Sequence, residues 1–265
     1  MDTLDRCDLR SVGASDIHAS PRDASICKAG VNIGFLGYTV GRFRVSKPYQ
    51  INKLRRREVL TDIDRLKQKC DVVVVSLHWG TENVHYPSPD QINLAHELID
   101  RGATLVLGHH PHVVQGVEEY GNGLIVYSLG NFNFDPEISY SETRKTMILS
   151  AHVNKTGVKD FQIIPVEINA DLMPLHMSEP DRSNMIEFVQ QISRCVSEHT
   201  IRDKWWFEEI SGTYLTGSMR SFSISFRKHR IRTAMIFAIR LFLPFTIRCY
   251  AAAISKRLKT KGMKS

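Results

Sequence analysis

VVVVSLHWGTENVHYPSPDQINLAHELIDRGATLVLGHHPHVV, residues Val72–Val114, decides how the chain is read. Two apolar runs, Val72–Leu77 and Thr104–Leu107, bracket a segment in which Ile92, Ala95, Leu98 and Ile99 form an apolar stripe. Unbroken apolarity predicts strands buried on both faces, and the stripe predicts an amphipathic helix ended by Gly102. Strand, helix and strand in that order make a βαβ unit with parallel strands. His78 stands just past the first run, and Gly108-His109-His110-Pro111-His112 just past the second. Ligands of open α/β sheets gather beyond the carboxyl ends of the strands. Paired neighbours lie only ~5 Å apart there, so histidines distant in sequence can meet across one ion.

The stretch holds six histidines. Neutral imidazole is the commonest nitrogen ligand of zinc, iron and manganese sites. The His110-Pro111-His112 spacing lets two rings reach one ion or two neighbouring ions, and Gly108 removes a side chain where the backbone approaches them. His78, His109, His110 and His112 are therefore the candidate metal ligands. A lone histidine is more often a capped surface residue than a ligand, which applies to His85 and to His96, on the predicted helix, so both are read as bystanders.

Outward from this centre, VNIGFLGYT (Val31–Thr39) predicts a buried strand and Asn52–Lys69 a surface helix. A strand over Leu124–Leu129 follows the turn-forming Gly121-Asn122-Gly123, Met147–Val153 and Phe161–Ile168 read as a hairpin, and Met185–Val196 as a helix. The 265 residues suffice for one sizeable core with an appendage. Five scattered cysteines, without a C-x-x-C pair, argue against a disulfide framework and fit a reducing compartment. The start MDTLDRCDLRSVG has no charged-then-apolar signal pattern. The net charge of +7 is unevenly placed: twelve basic and no acidic residues lie between Arg220 and Lys264, leaving 23 basic against 28 acidic elsewhere. A mildly acidic body thus carries a strongly basic tail.

HWGTE, then PSPDQINLAHELIDRGATLVLGHHPHVVQGVEEY, then YSLGNFNFD resemble the CapA-type capsule and poly-gamma-glutamate biosynthesis proteins of the calcineurin-like metallophosphoesterase superfamily. The likeness covers roughly Thr3 to Asp135 and is most specific at His78–Glu82 and Gly108–His112. It implies an αββα sandwich with a two-metal site, with His78, His110 and His112 as ligands to divalent manganese, iron or zinc. Glu82, on the loop after His78, and Asn131, in the GNF turn, are expected to line that site as catalytic groups. Asn83 departs from the pattern, where the family often has an aromatic residue. The family also opens with glycine-aspartate, asparagine-glutamate and asparagine-histidine motifs, and Met1 falls just after the place of the last. Asp2, Asp5, Asp8, Asp16 and His18 lack the strand context to replace them. The expectation is the histidine half of a dinuclear site, with weak or absent phosphoesterase turnover by this chain alone.

The predicted fold class is α/β: an incomplete αββα metallophosphoesterase-like sandwich over residues 1–180, a helical extension over 181–216, and a basic amphipathic tail over 217–265. In Phe226–Lys259, Arg232, Arg240 and Arg248 leave charge-free runs of only seven residues, and Pro244 interrupts any helix. That is too broken for the ~20 apolar residues of a membrane span, and fits a segment lying on an anionic membrane surface. No nucleic-acid motif accompanies the charge, so nucleic acid is not the expected partner. The implied setting is the cytoplasm or the periphery of the cytoplasmic membrane, with capsule polymer or other biosynthesis proteins as partners. A non-catalytic, membrane-tethered assembly protein and a truncated, inactive gene product are the competing readings.

Overall fold

The structure, a computed structural model, describes residues 7, 9–16, 23–41, 45–47, 49–133, 141–228, 237, 239 and 241–262. His18, Asp2, Asp5, Asp8, Arg232 and Arg240 lie outside them. In chain order the strands are β1 (Ala14–Asp16), β2 (Asp23–Lys28), β3 (Val31–Thr39), β4 (Tyr49–Ile51), β5 (Val72–His78), β6 (Leu105–His109), β7 (Val117–Tyr120), β8 (Gly123–Val126), β9 (Lys145–Asn154), β10 (Gly157–Ile168) and β11 (Pro174–His176). The helices are α1 (Arg56–Lys67), α2 (Pro89–Arg101), α3 (Asp181–Ser197), α4 (Asp203–Lys228) and α5 (Pro244–Gly262).

A six-stranded sheet runs β2-β3-β5-β6-β8-β7. Its four middle strands are parallel, and β2 and β7 close the edges antiparallel. The apolar run of β5 divides by parity. Val73, Val75 and Leu77 join Val59, Ile63 and Leu66 of α1 and Ala95 and Leu98 of α2 in one core. Val72 and Val74 face Leu149, Val153 and Phe161 of the second, three-stranded sheet β11-β10-β9. Burial on both faces removes the alternation of a half-exposed strand, and each fully buried aliphatic side chain there contributes roughly 1.5–3 kcal/mol. Helices, mixed sheet and second sheet form three layers, and α3 packs where the sheets meet, Met185 and Val189 against Val114, Val126 and Met147. This is the expected α/β sandwich.

Helix α2 starts where Ser88 caps it: its hydroxyl accepts from the Gln91 amide at 3.2 Å, and Gln91 Oε1 accepts from the Ser88 amide at 3.0 Å. It ends at Gly102 with φ +116°, a left-handed turn that glycine adopts without strain. The predicted strand over Leu124–Leu129 stops at Val126, because the chain turns so that Leu129 can bridge Val114 and donate to the Gly108 carbonyl at 3.0 Å.

The sequence boundary at Gly217 falls inside the continuous helix α4. After Pro244 the tail folds back on it as α5. Phe245 inserts among Trp206, Phe207 and Tyr214 at ring separations of 4.9–5.9 Å, and Cys249 is fully buried. Arg248, Lys256 and Lys259 pair with Asp203, Glu209 and Glu208 of α4 at 2.9, 3.3 and 2.7 Å. Part of the basic tail is thereby matched to acids of the body. No described helix is long and apolar enough to cross a membrane.

Candidate functional site

The β5–β6 register brings His78 opposite His109, and the Trp79 amide donates to the His109 carbonyl at 2.9 Å. Gly108 is needed just before this pair, though not for a turn. A Cβ there would stand 1.8 Å from the Tyr127 carbonyl oxygen and 2.6 Å from Trp79 Nε1, which itself donates to that oxygen at 3.0 Å. The turn comes next, and non-glycine residues make it: His110 has φ +99° and His112 φ +60°. Such left-handed residues cost on the order of 1–3 kcal/mol each and collect where the surrounding structure over-determines them. Here they swing two rings to one side of Pro111.

The Glu82 loop is clasped to this turn. The Asn83 amide donates to the Pro111 carbonyl at 2.8 Å, and Asn83 itself takes φ +60°. Asparagine tolerates that conformation better than an aromatic residue, which accounts for the departure at this position. Behind the loop, buried Gln115 donates to the Val84 carbonyl at 2.8 Å. Gly80, at φ +89°, leaves room for the Gln91 amide, which would lie 2.7 Å from an added Cβ. The loop is thus seated on the first turn of α2.

The result is a group of three: Glu82, His110 and His112 offer ligand atoms within 4.8 Å of one another. Zinc-type ions bind such donors at about 2.0–2.2 Å, so the three could hold one ion after a small inward adjustment. His78 lies beside the group, its ring centroid 4.5 Å from that of His110. The His110 and His112 rings are 6.0 Å apart. His109 stays outside the three and is half-buried. Burial, followed by the charge of neighbouring imidazoles, pushes His78, His109 and His110 below the usual histidine pKa. That keeps them neutral near pH 7 with lone pairs available, which ligation requires.

Asn131 sets the tautomer of His112. Its Nδ2 donates to the Thr143 carbonyl at 3.0 Å, so its Oδ1 faces His112 Nδ1 at 2.8 Å and accepts from it. The proton is held on Nδ1 and Nε2 is left as the donor atom, the usual outer support of a ligating histidine. Expected as a site-lining group, Asn131 thus acts through His112. The excluded histidines have other tasks. His85 contacts the Val114 carbonyl at 3.0 Å and packs edge-on against Phe188. His96 meets buried Glu118 at 2.9 Å and stacks on Tyr120. The sequence pointed to Glu82 as a catalytic group lining the site, and the structure sets its carboxylate in one donor group with His110 and His112. The signal was the four-residue spacing from His78 to Glu82 on a glycine-containing loop.

A mixed-sheet α/β protein with a histidine- and carboxylate-bearing loop pair beyond its parallel strands is the class that fold and site define. The chain belongs to the family described as bacterial capsule synthesis protein PGA_cap, whose model matches residues 1–136. It is similar to the PGA biosynthesis protein CapA of Bacillus subtilis (strain 168), 39% identical over 40% of this chain and 28% of that protein. It is similar also to the capsule biosynthesis protein CapA of Bacillus anthracis, 40% identical over 40% of this chain and 25% of that protein. A probable polyglutamine synthesis accessory protein of Mycobacterium tuberculosis (strain CDC 1551 / Oshkosh) is 29% identical over 46% of this chain and 30% of its own. These matches thus span less than a third of the relatives' own length. Among solved structures, a 5'-nucleotidase precursor from Thermus thermophilus superposes with a TM-score of 0.42 at 13% identity, over 72% of this chain and 39% of that one.

Proposed function

We propose that this chain serves capsule or poly-gamma-glutamate-type polymer biosynthesis through a divalent-metal centre held by Glu82, His110 and His112, with His78 beside it. The observation that carries the reading is the three-donor group itself, together with the Asn131 contact that orients His112 through Nδ1. A manganese, iron or zinc ion there supplies Lewis acidity toward a phosphoryl or carbonyl oxygen. The chain's own part is to present neutral imidazoles, to balance charge with one carboxylate, and to hold both loops through the Asn83–Pro111 bond. The reaction class in view is metal-assisted hydrolysis of a phosphoester.

Zinc or manganese titration of the full chain by calorimetry tests this. One ion per chain is expected, with binding lost in His112→Ala and weakened in Glu82→Ala. A folded protein that takes up no ion, or one whose uptake ignores both substitutions, overturns the proposal.

The tail supports a second element of the reading, contact with an anionic membrane surface. Ile247, Ile254 and Leu258 are exposed along α5 at helical spacing, opposite the face carrying Phe245 and Cys249. An apolar stripe beside lysines and arginines is the composition of an interfacial helix. Co-sedimentation with phosphatidylglycerol vesicles, reduced in Ile247→Asp/Leu258→Asp and absent with neutral vesicles, is the expected result. Equal sedimentation with both vesicle types removes the membrane contact.

A further inference from the structure

The carboxyl edge of the six-stranded sheet continues past His78 in a direction the metal centre does not use. Thr39, at the end of β3, is in register with His78, and Lys53 in turn bridges Thr39 in parallel. Lys53, Thr39, His78 and His109 therefore form one lateral rank across the sheet. Two strand spacings of ~4.8 Å set Lys53 roughly 10 Å from His78. A mainly polar groove of about 350 Å³ opens at the Lys53 end, bordered by Thr39, Tyr49, Gln50, Lys53, Arg55 and Glu58, with Val45 and Ile51 also in its wall.

The charges in this groove are unequal. Arg55 is matched by Glu58 at 2.8 Å, whereas Lys53 makes no ion pair with a carboxylate among the described residues. The groove thus keeps one uncompensated cation with amide, phenol and hydroxyl groups around it, a setting for an anionic oxygen rather than an apolar ligand.

We infer that this groove is a subsite for an acidic polymer, with Lys53 holding one carboxylate of a chain that runs along the rank toward the histidines. The inference rests on the proposed function for the identity of the polymer, and on the register alone for the subsite. An extended α-linked chain advances ~3.5 Å per residue, and a γ-linked glutamate, with five backbone atoms in place of three, advances ~6 Å, so the ~10 Å between Lys53 and His78 is about two residues. The cation would then hold a carboxylate about two units from the part of the chain that lies over the histidines. It would set the direction of the chain without touching the reacting atoms, which makes Lys53 a positioning residue.

The test uses the full chain, stripped of metal with EDTA, and a fluorescein-labelled ten-residue γ-linked glutamate oligomer followed by anisotropy at low ionic strength. Lys53→Glu is expected to weaken binding about tenfold and Lys53→Ala about threefold, in the range of an exposed charge pair removed or reversed. Lys155→Glu carries the same net charge change on the exposed β9–β10 turn, and is expected to change the affinity less than twofold. Equal losses in Lys53→Glu and Lys155→Glu overturn the subsite, since attraction to overall charge would then suffice. Full displacement of the peptide by 10 mM inorganic phosphate at constant ionic strength also overturns it, because the groove would then take a lone anion and not a chain. Metal uptake by Lys53→Glu, measured separately, should equal that of the parent. A selective loss of peptide binding in a protein that binds no metal leaves the subsite standing and removes the metal centre.

Discussion

Replacing Gly108 with alanine tests how tightly the fold holds the site. The new methyl would enter between the Tyr127 carbonyl oxygen, 1.8 Å away, and Trp79 Nε1, 2.6 Å away, where real Cβ atoms keep at least 3.0 Å. Relief requires more than an ångström of separation between β6 and the chain after β8. That movement breaks the Trp79 Nε1–Tyr127 bond, at 3.0 Å, and strains the Leu129 amide–Gly108 carbonyl bond, also 3.0 Å. A buried partner left unsatisfied costs about 1–3 kcal/mol, and overpacking adds a similar amount. The sum, on the order of 2–6 kcal/mol, is a large part of a total stability of roughly 5–15 kcal/mol. Thermal unfolding followed by circular dichroism should show Tm lowered by roughly 10–20 °C, or no folded protein at all. The shift also drags the first residue of the histidine turn, so stabilisation by added zinc should shrink with it. A Gly108→Ala protein melting within about 2 °C of the parent would refute the packing described here.

Three further outcomes are expected. Asn131→Ala should weaken zinc affinity about 10–100-fold in a competition titration by freeing the His112 tautomer, and a change below twofold would remove the orienting role. Burial holds His85 below its ordinary pKa, so the unfolded chain takes up its proton first as pH falls. The stability this residue contributes is therefore complete above about pH 6.5 and is lost as pH falls from there toward its folded value. His85→Gln should reduce the drop in Tm between pH 7 and pH 5, and an unchanged drop argues against the assignment. Cys249 is fully buried and its thiol is pushed up to about 11, whereas Cys7 and Cys27 are exposed. Ellman's reagent should modify Cys7 and Cys27 in the native protein and reach Cys249 only in denaturant; fast native reaction of Cys249 would show α5 undocked.

What could be read from the amino acids follows how each residue is satisfied. Strand β3 and the β5-α2-β6 unit were legible because burial on both faces leaves an unbroken apolar run and because α2 carries its own cap and stop. Strand β7 was not, since VEEY shows no apolar pattern: Glu118 is buried, accepting from the Tyr127 hydroxyl at 2.6 Å and facing His96. Edge strand β2 was missed for a similar reason, its outer half being exposed. Among the site residues, His78, His110 and His112 were visible as strand-end histidines. The joining of Glu82 to His110 and His112 depends on an amide–carbonyl bond between two loops, Asn83 to Pro111, which no local pattern announces.

One contact ties the far end of the chain to this geometry. Trp206, in the first turn of α4, is buried and donates through Nε1 to the Tyr86 carbonyl at 3.0 Å. Tyr86 lies four residues beyond Glu82 on the same loop, and its ring meets Trp205 edge-on at 5.1 Å. The C-terminal helices are thus a mechanical brace for the carboxylate loop. A force applied to the tail would be transmitted through α4 to the segment that carries Glu82. A chain shortened before α4 would keep its histidines and lose the strut that holds Glu82 against them.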